Sequence, residues 1–271
     1  MNINFSLSPP PLVLKLVTGH WSPIDLPNPL IPQFPISFSP TNTRSEDKTV
    51  KFLLDRKYWK LALLPIALVA LYWSLVRGGF LFPLSLAPEI FCTQNCDRET
   101  TLPSTLPGTE LLNYDTPLSP QFTNPEKIAI LIEKSKYRLT LFYQNEPIKS
   151  YPVVFGGDPV GDKQKEGDRR TPEGIFEIRD RYPHPSWSKF IWLDYPNASS
   201  WRKHLQAKQH GEIAWFDRVG SEIGIHGVPN NADGYIDTRT NWTLGCISLK
   251  NADVNEIYTV VREGTIVKIV P

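Results

Sequence analysis

From about Lys127 to the C-terminus the chain falls into short apolar runs at strand spacing, separated by turn residues, and this rhythm limits the region to a sheet. Ile128 to Ile132 is one such run. Tyr137, Leu139, Leu141 and Tyr143 then alternate with Arg138, Thr140 and Phe142. Asn145-Glu146-Pro147 makes a turn, and Ile148 to Phe155 reads as the returning strand, ended by Gly156-Gly157. After a polar loop to Arg170, further strands are expected at Gly174 to Arg179, at Ile223 and Ile225, at Ile247 and Leu249, and at Thr265 to Val270. One helix stands out. Asn251 is its expected N-cap and Asp253 suits its first turn, while Val254, Ile257, Tyr258 and Val261 share a face, Arg262 fits the last turn and Gly264 stops it. Residues 126–271 therefore predict a mainly β domain, largely antiparallel, with one or two helices and enough length for a real core.

Within that domain Gly224-Ile225-His226-Gly227 is followed by Thr243-Leu244-Gly245-Cys246-Ile247, and no other cysteine occurs after Cys96. A lone thiol with an upstream histidine, each beside a glycine, points to a nucleophile and its base. A free thiol has a reference pKa of about 8.5, so at neutral pH it needs a base to become reactive. His184, His204 and His210 have no zinc spacing, and Asn231 to Asp237 reads as an Asx-rich turn rather than a calcium loop, because Pro229 and Thr240 stand where end ligands belong. No metal and no cofactor is expected. The net charge of +1 without a long basic run argues against nucleic acid as a partner. Trp187, Trp192, Trp201 and Trp215 read as core or lid packing, with a groove lining as the lesser reading.

The N-terminal half is organised differently. Residues 1–50 form a proline-rich head without periodicity, read as disordered. Residues 51–82 hold a basic flank and the uncharged run Leu61 to Val76, read as a transmembrane signal anchor. Arg44, Lys48, Lys51, Arg56, Lys57 and Lys60 precede the run, and Arg77 is the only basic residue from there to Arg98. This asymmetry places the amino end in the cytoplasm and the remainder outside. A buried helix is opposed by Pro65 and the basic flank; a cleaved leader is opposed by Pro88 directly after Ser85-Leu86-Ala87. Residues 83–125 are rich in Pro, Thr, Ser and Asn and read as a flexible linker, with Cys92 and Cys96 able to close a small ring in an oxidising compartment.

The ordered motifs resemble an L,D-transpeptidase catalytic domain of the YkuD type, from roughly Lys127 to Pro271. Asp168-Arg169-Arg170-Thr171-Pro172-Glu173-Gly174 is similar to the family's G-D-x-x-T-P-x-G turn. Ile225-His226-Gly227 resembles its histidine strand, and Thr243 to Ile247 its nucleophile segment. Leu249, Asn251, Asp253 and Val254 match L-x-N-x-D-V, and Gly264-Thr265-Ile266-Val267 the closing strand. The resemblance implies a sandwich-like or barrel-like β domain in a bacterial envelope that acts on peptidoglycan stem peptides. It implies Cys246 as nucleophile, His226 as proton donor and acceptor, and the Gly227 carbonyl orienting His226. It also implies the Gly245 and Cys246 N–H groups as oxyanion donors, with acyl transfer through a thioester to an amine. Hydrolysis, as an L,D-carboxypeptidase, and a non-catalytic glycan-binding module are the alternatives. The chain departs from the family's S-H-G-C-x-R pattern: Leu244 replaces a histidine and Ser248 the arginine. Thr243 and Arg239 are the expected substrate-binding residues, with Arg202 a second substitute for the missing cation.

Overall fold

In this computed structural model the described residues are 56–93, 96–122 and 124–271, with side chains described from residue 63 onward. The proline-rich head and most of the basic flank lie outside them.

Eight strands form one sheet: β1 (Ile128–Glu133), β2 (Arg138–Tyr143), β3 (Glu146–Pro152), β4 (Gly174–His184), β5 (Ser188–Leu193), β6 (Gly224–Gly227), β7 (Ile247–Leu249) and β8 (Ile266–Val270). Their order is β3-β2-β1-β8-β4-β5-β6-β7. Most neighbours are antiparallel, as the hairpin pattern predicted, but β1 with β8 and β6 with β7 are parallel. The eleven-residue β4 makes the bend: Gly174 to Glu177 pair with β8, and Ile178 to His184 with β5. The two edges then meet. Just beyond β3, Val154 exchanges backbone hydrogen bonds of 2.9 Å in each direction with Ser248 of β7, and Gly156 bridges to Thr243. The sheet thus closes into a barrel-like wrap, and the nucleophile segment lies in the seam.

The inside of the wrap holds the main core, including Ile130, Ile132, Leu139, Leu141, Tyr151, Phe155, Phe176, Ile191, Ile225, Ile247, Val267 and Ile269. Of the helices, α1 spans Arg56–Arg77, α2 Ala87–Ile90, α3 Ala198–Gln209, α4 Gly234–Asp237 and α5 Asn251–Val260. α5 buries Val254 and Ile257 as its spacing predicted, together with Val260, while Tyr258 is half-buried and the expected Val261 is buried at the C-cap. Its N-cap, however, is Lys250, and Asn251 is its first helical residue. The Asn251 side chain turns inward, where an added Cβ on Gly227 would collide with its Oδ1.

The apolar run does form a helix, but the expected membrane span is not supported: among the described residues no helix is long and apolar enough to cross a membrane. The uncharged run from Leu61 to Val76 is sixteen residues long, short of the roughly 20 residues a hydrocarbon core requires.

Residues 96–122, expected as a tether, are laid along the domain. Leu102 is buried against Leu131 and Phe142 on the outer face of the sheet. Glu133, itself buried, accepts hydrogen bonds from Thr105 Oγ1 (2.5 Å) and the Leu106 N–H (2.9 Å). The Ser150 N–H donates to Leu112 O at 2.8 Å along the free edge of β3. Tyr114 donates to Asp253 (3.2 Å) and the Leu118 N–H to Glu256 (2.6 Å), which fastens the strap to α5. Proline and threonine content mimics a linker, yet the backbone donors and acceptors find partners on the sheet. Cys92 and Cys96 form a disulfide.

Candidate active site

Cys246 immediately precedes β7, and His226 lies in β6, the adjacent parallel strand, in register with Ser248. Both line one cleft of about 770 Å³. The backbone fixes the cysteine. Thr243 accepts from the Gly245 N–H (3.1 Å) and donates to the Cys246 carbonyl (2.7 Å), knotting the turn before the cysteine. Gly245 has φ +139°, and a Cβ there would sit 2.7 Å from the Arg170 carbonyl, so the turn requires glycine. Thr243, expected to touch substrate, lines the cleft but is buried, with its hydroxyl engaged in this brace. Of the two expected oxyanion donors, the Gly245 N–H is already bonded to Thr243, which leaves the Cys246 N–H as the other.

His226 is buried, and its Nδ1 donates to the Gly227 carbonyl at 2.7 Å in the tautomer that leaves Nε2 with the lone pair. Ser248, in the position where an arginine was expected, donates its hydroxyl to the same carbonyl at 3.4 Å. Aromatic rings enclose the imidazole: Trp187 stacks at 4.4 Å and 26°, Phe190 lies parallel at 5.8 Å, and Trp242 meets it edge-on at 5.7 Å. Among these, Trp187 and Trp242 are half-buried and line the cleft with Trp192, so the aromatic-rich segment serves a groove as well as packing. Trp201 is in the core, whereas Trp215 is 70% exposed.

The electrostatics favour neutral partners. Burial, chiefly, lowers His226 to about 4; the Gly227 carbonyl opposes this, and His184 adds to it. Burial raises the Cys246 thiol to about 11, against the Gly224 N–H and the Lys163 ammonium, with Glu222 pushing the same way as burial. The sequence predicted a thiolate held as an ion pair by His226. Burial of both groups instead favours a thiol and a neutral imidazole, and the sulfur's hydrogen-bond partner is the Glu222 carbonyl at 3.5 Å. The half-buried sulfur reaches the cleft, but little water surrounds it to support a charge.

Neither arginine expected as the missing cation lines this cleft. Arg239 places its guanidinium 5.4 Å from the Tyr137 ring, and Arg202 binds Asp97 at 2.7 Å and the carbonyls of Glu89, Ile90 and Cys96. The cleft's cation is Lys163, which the sequence gave no motif to find. Its Nζ donates to Asp168 Oδ1 (2.7 Å) and Lys165 O (3.0 Å). Asp168 also accepts from the N–H groups of Gln164, Lys165 and Arg170, so the acidic residue of the G-D-x-x-T-P-x-G turn shapes the loop that carries Lys163.

Residues 127–269 match the family model YkuD, L,D-transpeptidase catalytic domain. A Bacillus licheniformis relative named for L,D-transpeptidase YkuD is 28% identical over 155 residues, 56% of this chain and 72% of its own length. Among solved structures, Bdellovibrio bacteriovorus Bd1075 is 21% identical with a TM-score of 0.38, covering 59% of this chain and 52% of that one. The helical cell shape determining protein Pgp2 of Campylobacter jejuni is 24% identical, also at 0.38, covering 52% of this chain and 46% of its own. The chain thus spans about half the length of these solved relatives.

Proposed function

The chain belongs to the L,D-transpeptidase catalytic domain family of the YkuD type, and from that premise we propose that it is a cysteine-dependent acyl transferase acting on peptidoglycan stem peptides. The observation that carries this reading is that Cys246, immediately before β7, and His226, on the adjacent β6, line one cleft, with the imidazole tautomer set by Gly227. In the proposed reaction Nε2 of His226 removes the thiol proton as sulfur attacks the carbonyl on the L-side of the terminal D-residue. The Cys246 N–H donates to the oxyanion; one such donor is typically worth about 10²–10³ in rate. The proton then passes from His226 to the departing amine, and a thioester remains. Lys163 is the one ammonium in the cleft lining, but Asp168 holds it at 2.7 Å, so it does not replace the absent arginine as a free cation. An amine acceptor then takes the acyl group.

The catalytic domain is proposed to work outside the bacterial cytoplasmic membrane, where a disulfide such as Cys92–Cys96 persists. Ser248 in the arginine position favours a second reading, with water as the acceptor and a shortened peptide as product. Intact-mass analysis of the full chain with a carbapenem-like acylating probe tests the common first step. Wild type is expected to gain one adduct and Cys246→Ala none; an adduct on the alanine variant would refute the assignment. Free tripeptide without dimer, in the presence of an amine, would select the hydrolytic reading.

A further inference from the structure

Two carboxylates line the cleft, and they differ in one respect. Glu166 is neutralised by Arg218, with contacts of 2.8 and 2.9 Å. Glu222 is exposed and, among the described residues, forms no ion pair. It is also held in place. Its φ is +61°, a left-handed conformation that a glutamate adopts only when its surroundings impose it. The flanking chain imposes it: Gly220 packs against Glu166, the Leu193 N–H donates to Ile223 O at 3.0 Å, and Ile223 is buried. The Glu222 carbonyl accepts the Cys246 thiol, so the residue that carries this free carboxylate touches the nucleophile.

We propose that Glu222 is the acceptor-amine site: its carboxylate draws an alkylammonium group to the side of the cleft beside Cys246, next to the thioester. The inference rests on the acyl-transfer reading above and names the group that steers its second step. A carboxylate at this point disfavours the thiolate needed for the first step, and favours any cation brought close to the sulfur. Its role is placement, not deprotonation. A carboxylate is a far weaker base than an alkylamine, so proton transfer between them runs strongly uphill. The ammonium therefore loses its first proton to solvent. The neutral amine attacks the thioester carbonyl, and the carbon–sulfur bond breaks. The second amine proton passes through His226 to the leaving sulfur, which yields an amide and the free Cys246 thiol.

The test uses the full chain with a tetrapeptide stem as donor and a primary alkylamine as acceptor, following tripeptide and dimer together with probe acylation. Glu222→Gln is expected to raise the acceptor KM about five-fold, the size of a partly exposed charge pair, and to shift product from dimer to tripeptide. It is expected to accelerate acylation of Cys246, because a negative charge beside the sulfur is gone. Rising salt should raise the wild-type acceptor KM and leave that of Glu222→Gln flat. Glu222→Asp, which keeps the charge, should recover part of the partition. Unchanged partition and salt response in an acylating Glu222→Gln would overturn the inference while the acyl-transfer reading stands. Wild type that fails to acylate would remove the reading, and the inference with it.

Discussion

Raising pH on the free enzyme separates a buried neutral thiol from a preformed ion pair. With Cys246 at about 11, the thiolate fraction at pH 7 is about 10⁻⁴, against about 3% for an ordinary thiol at 8.5, a deficit of roughly 300-fold. Alkylation by iodoacetamide should therefore be slow at neutral pH and climb about ten-fold per pH unit from 6 to 10, levelling only near 11. His226, at about 4, is neutral throughout that window and should leave no inflection. The chain suits the experiment: Cys92 and Cys96 are bonded to each other and Cys246 is the free cysteine, so intact mass reports one site. His226→Ala should barely slow alkylation at pH 7, since no ion pair is lost. The same variant should slow stem-peptide acylation about 10²–10⁴-fold, the worth of a general base. A fast, flat alkylation rate between pH 5 and 8 that collapses in His226→Ala would show a resting thiolate–imidazolium pair, and the neutral account would be wrong.

Gly245→Ala places a side chain against the Arg170 carbonyl at a φ that only glycine tolerates well, so it should cost about 1–3 kcal/mol in urea unfolding. Its acylation should fall further than its stability, because the strained turn carries Cys246; equal losses would argue against that coupling. Arg138→Met strips the buried Glu133 of the guanidinium held at 2.7 Å but leaves it the Lys136 ammonium at 2.9 Å, so it should cost about 1–3 kcal/mol. Adding Glu133→Gln should recover part of it and leave the strap at Thr105–Leu106 open to proteolysis; a double variant no better than the single would refute the charge-pairing argument.

The parts of this fold that the sequence revealed are those whose apolar residues recur at strand or helix spacing between turn residues, even where, as in β1, β2 and β7, both faces are buried. β1 to β3, β7, β8 and α5 all show the expected alternation or helical spacing. β5 was missed because both its faces are apolar: Ile191 and Leu193 pack into the core while Phe190 and Trp192 face the cleft, and the period-two signal vanishes. α3 was missed for the opposite reason, being polar over most of its surface with Trp201 and Ala207 among few buried apolar residues. Its signal was the Asn197 cap, whose side chain accepts from the Ser200 N–H at 3.0 Å. Cys246, His226 and the Gly227 carbonyl were legible because their neighbours are constrained by backbone geometry and so leave a motif. Lys163 and Glu222 were not. They line the cleft from loops fixed by Asp168 and Gly220, and no local spacing records where such loops arrive in space.

The neutral site and the closed seam are two consequences of one arrangement. β7 is three residues long, too short to hold a nucleophile by its own pairing, yet it is bonded on both flanks. β6 pairs with it on one side, and Val154 and Gly156 bridge its segment on the other. Those backbone bonds fix Cys246 without needing charge, whereas an ion pair would have to repay the desolvation of both groups in a site walled by Trp187, Phe190 and Trp242. The same wall excludes water from the imidazole and keeps Nε2 unprotonated at neutral pH, ready to accept. Position is thus supplied by the sheet and reactivity is deferred until substrate arrives. A thiol guarded in this way resists adventitious oxidation and alkylation, which follow thiolate character, and in the proposed reaction it ionises only as it attacks.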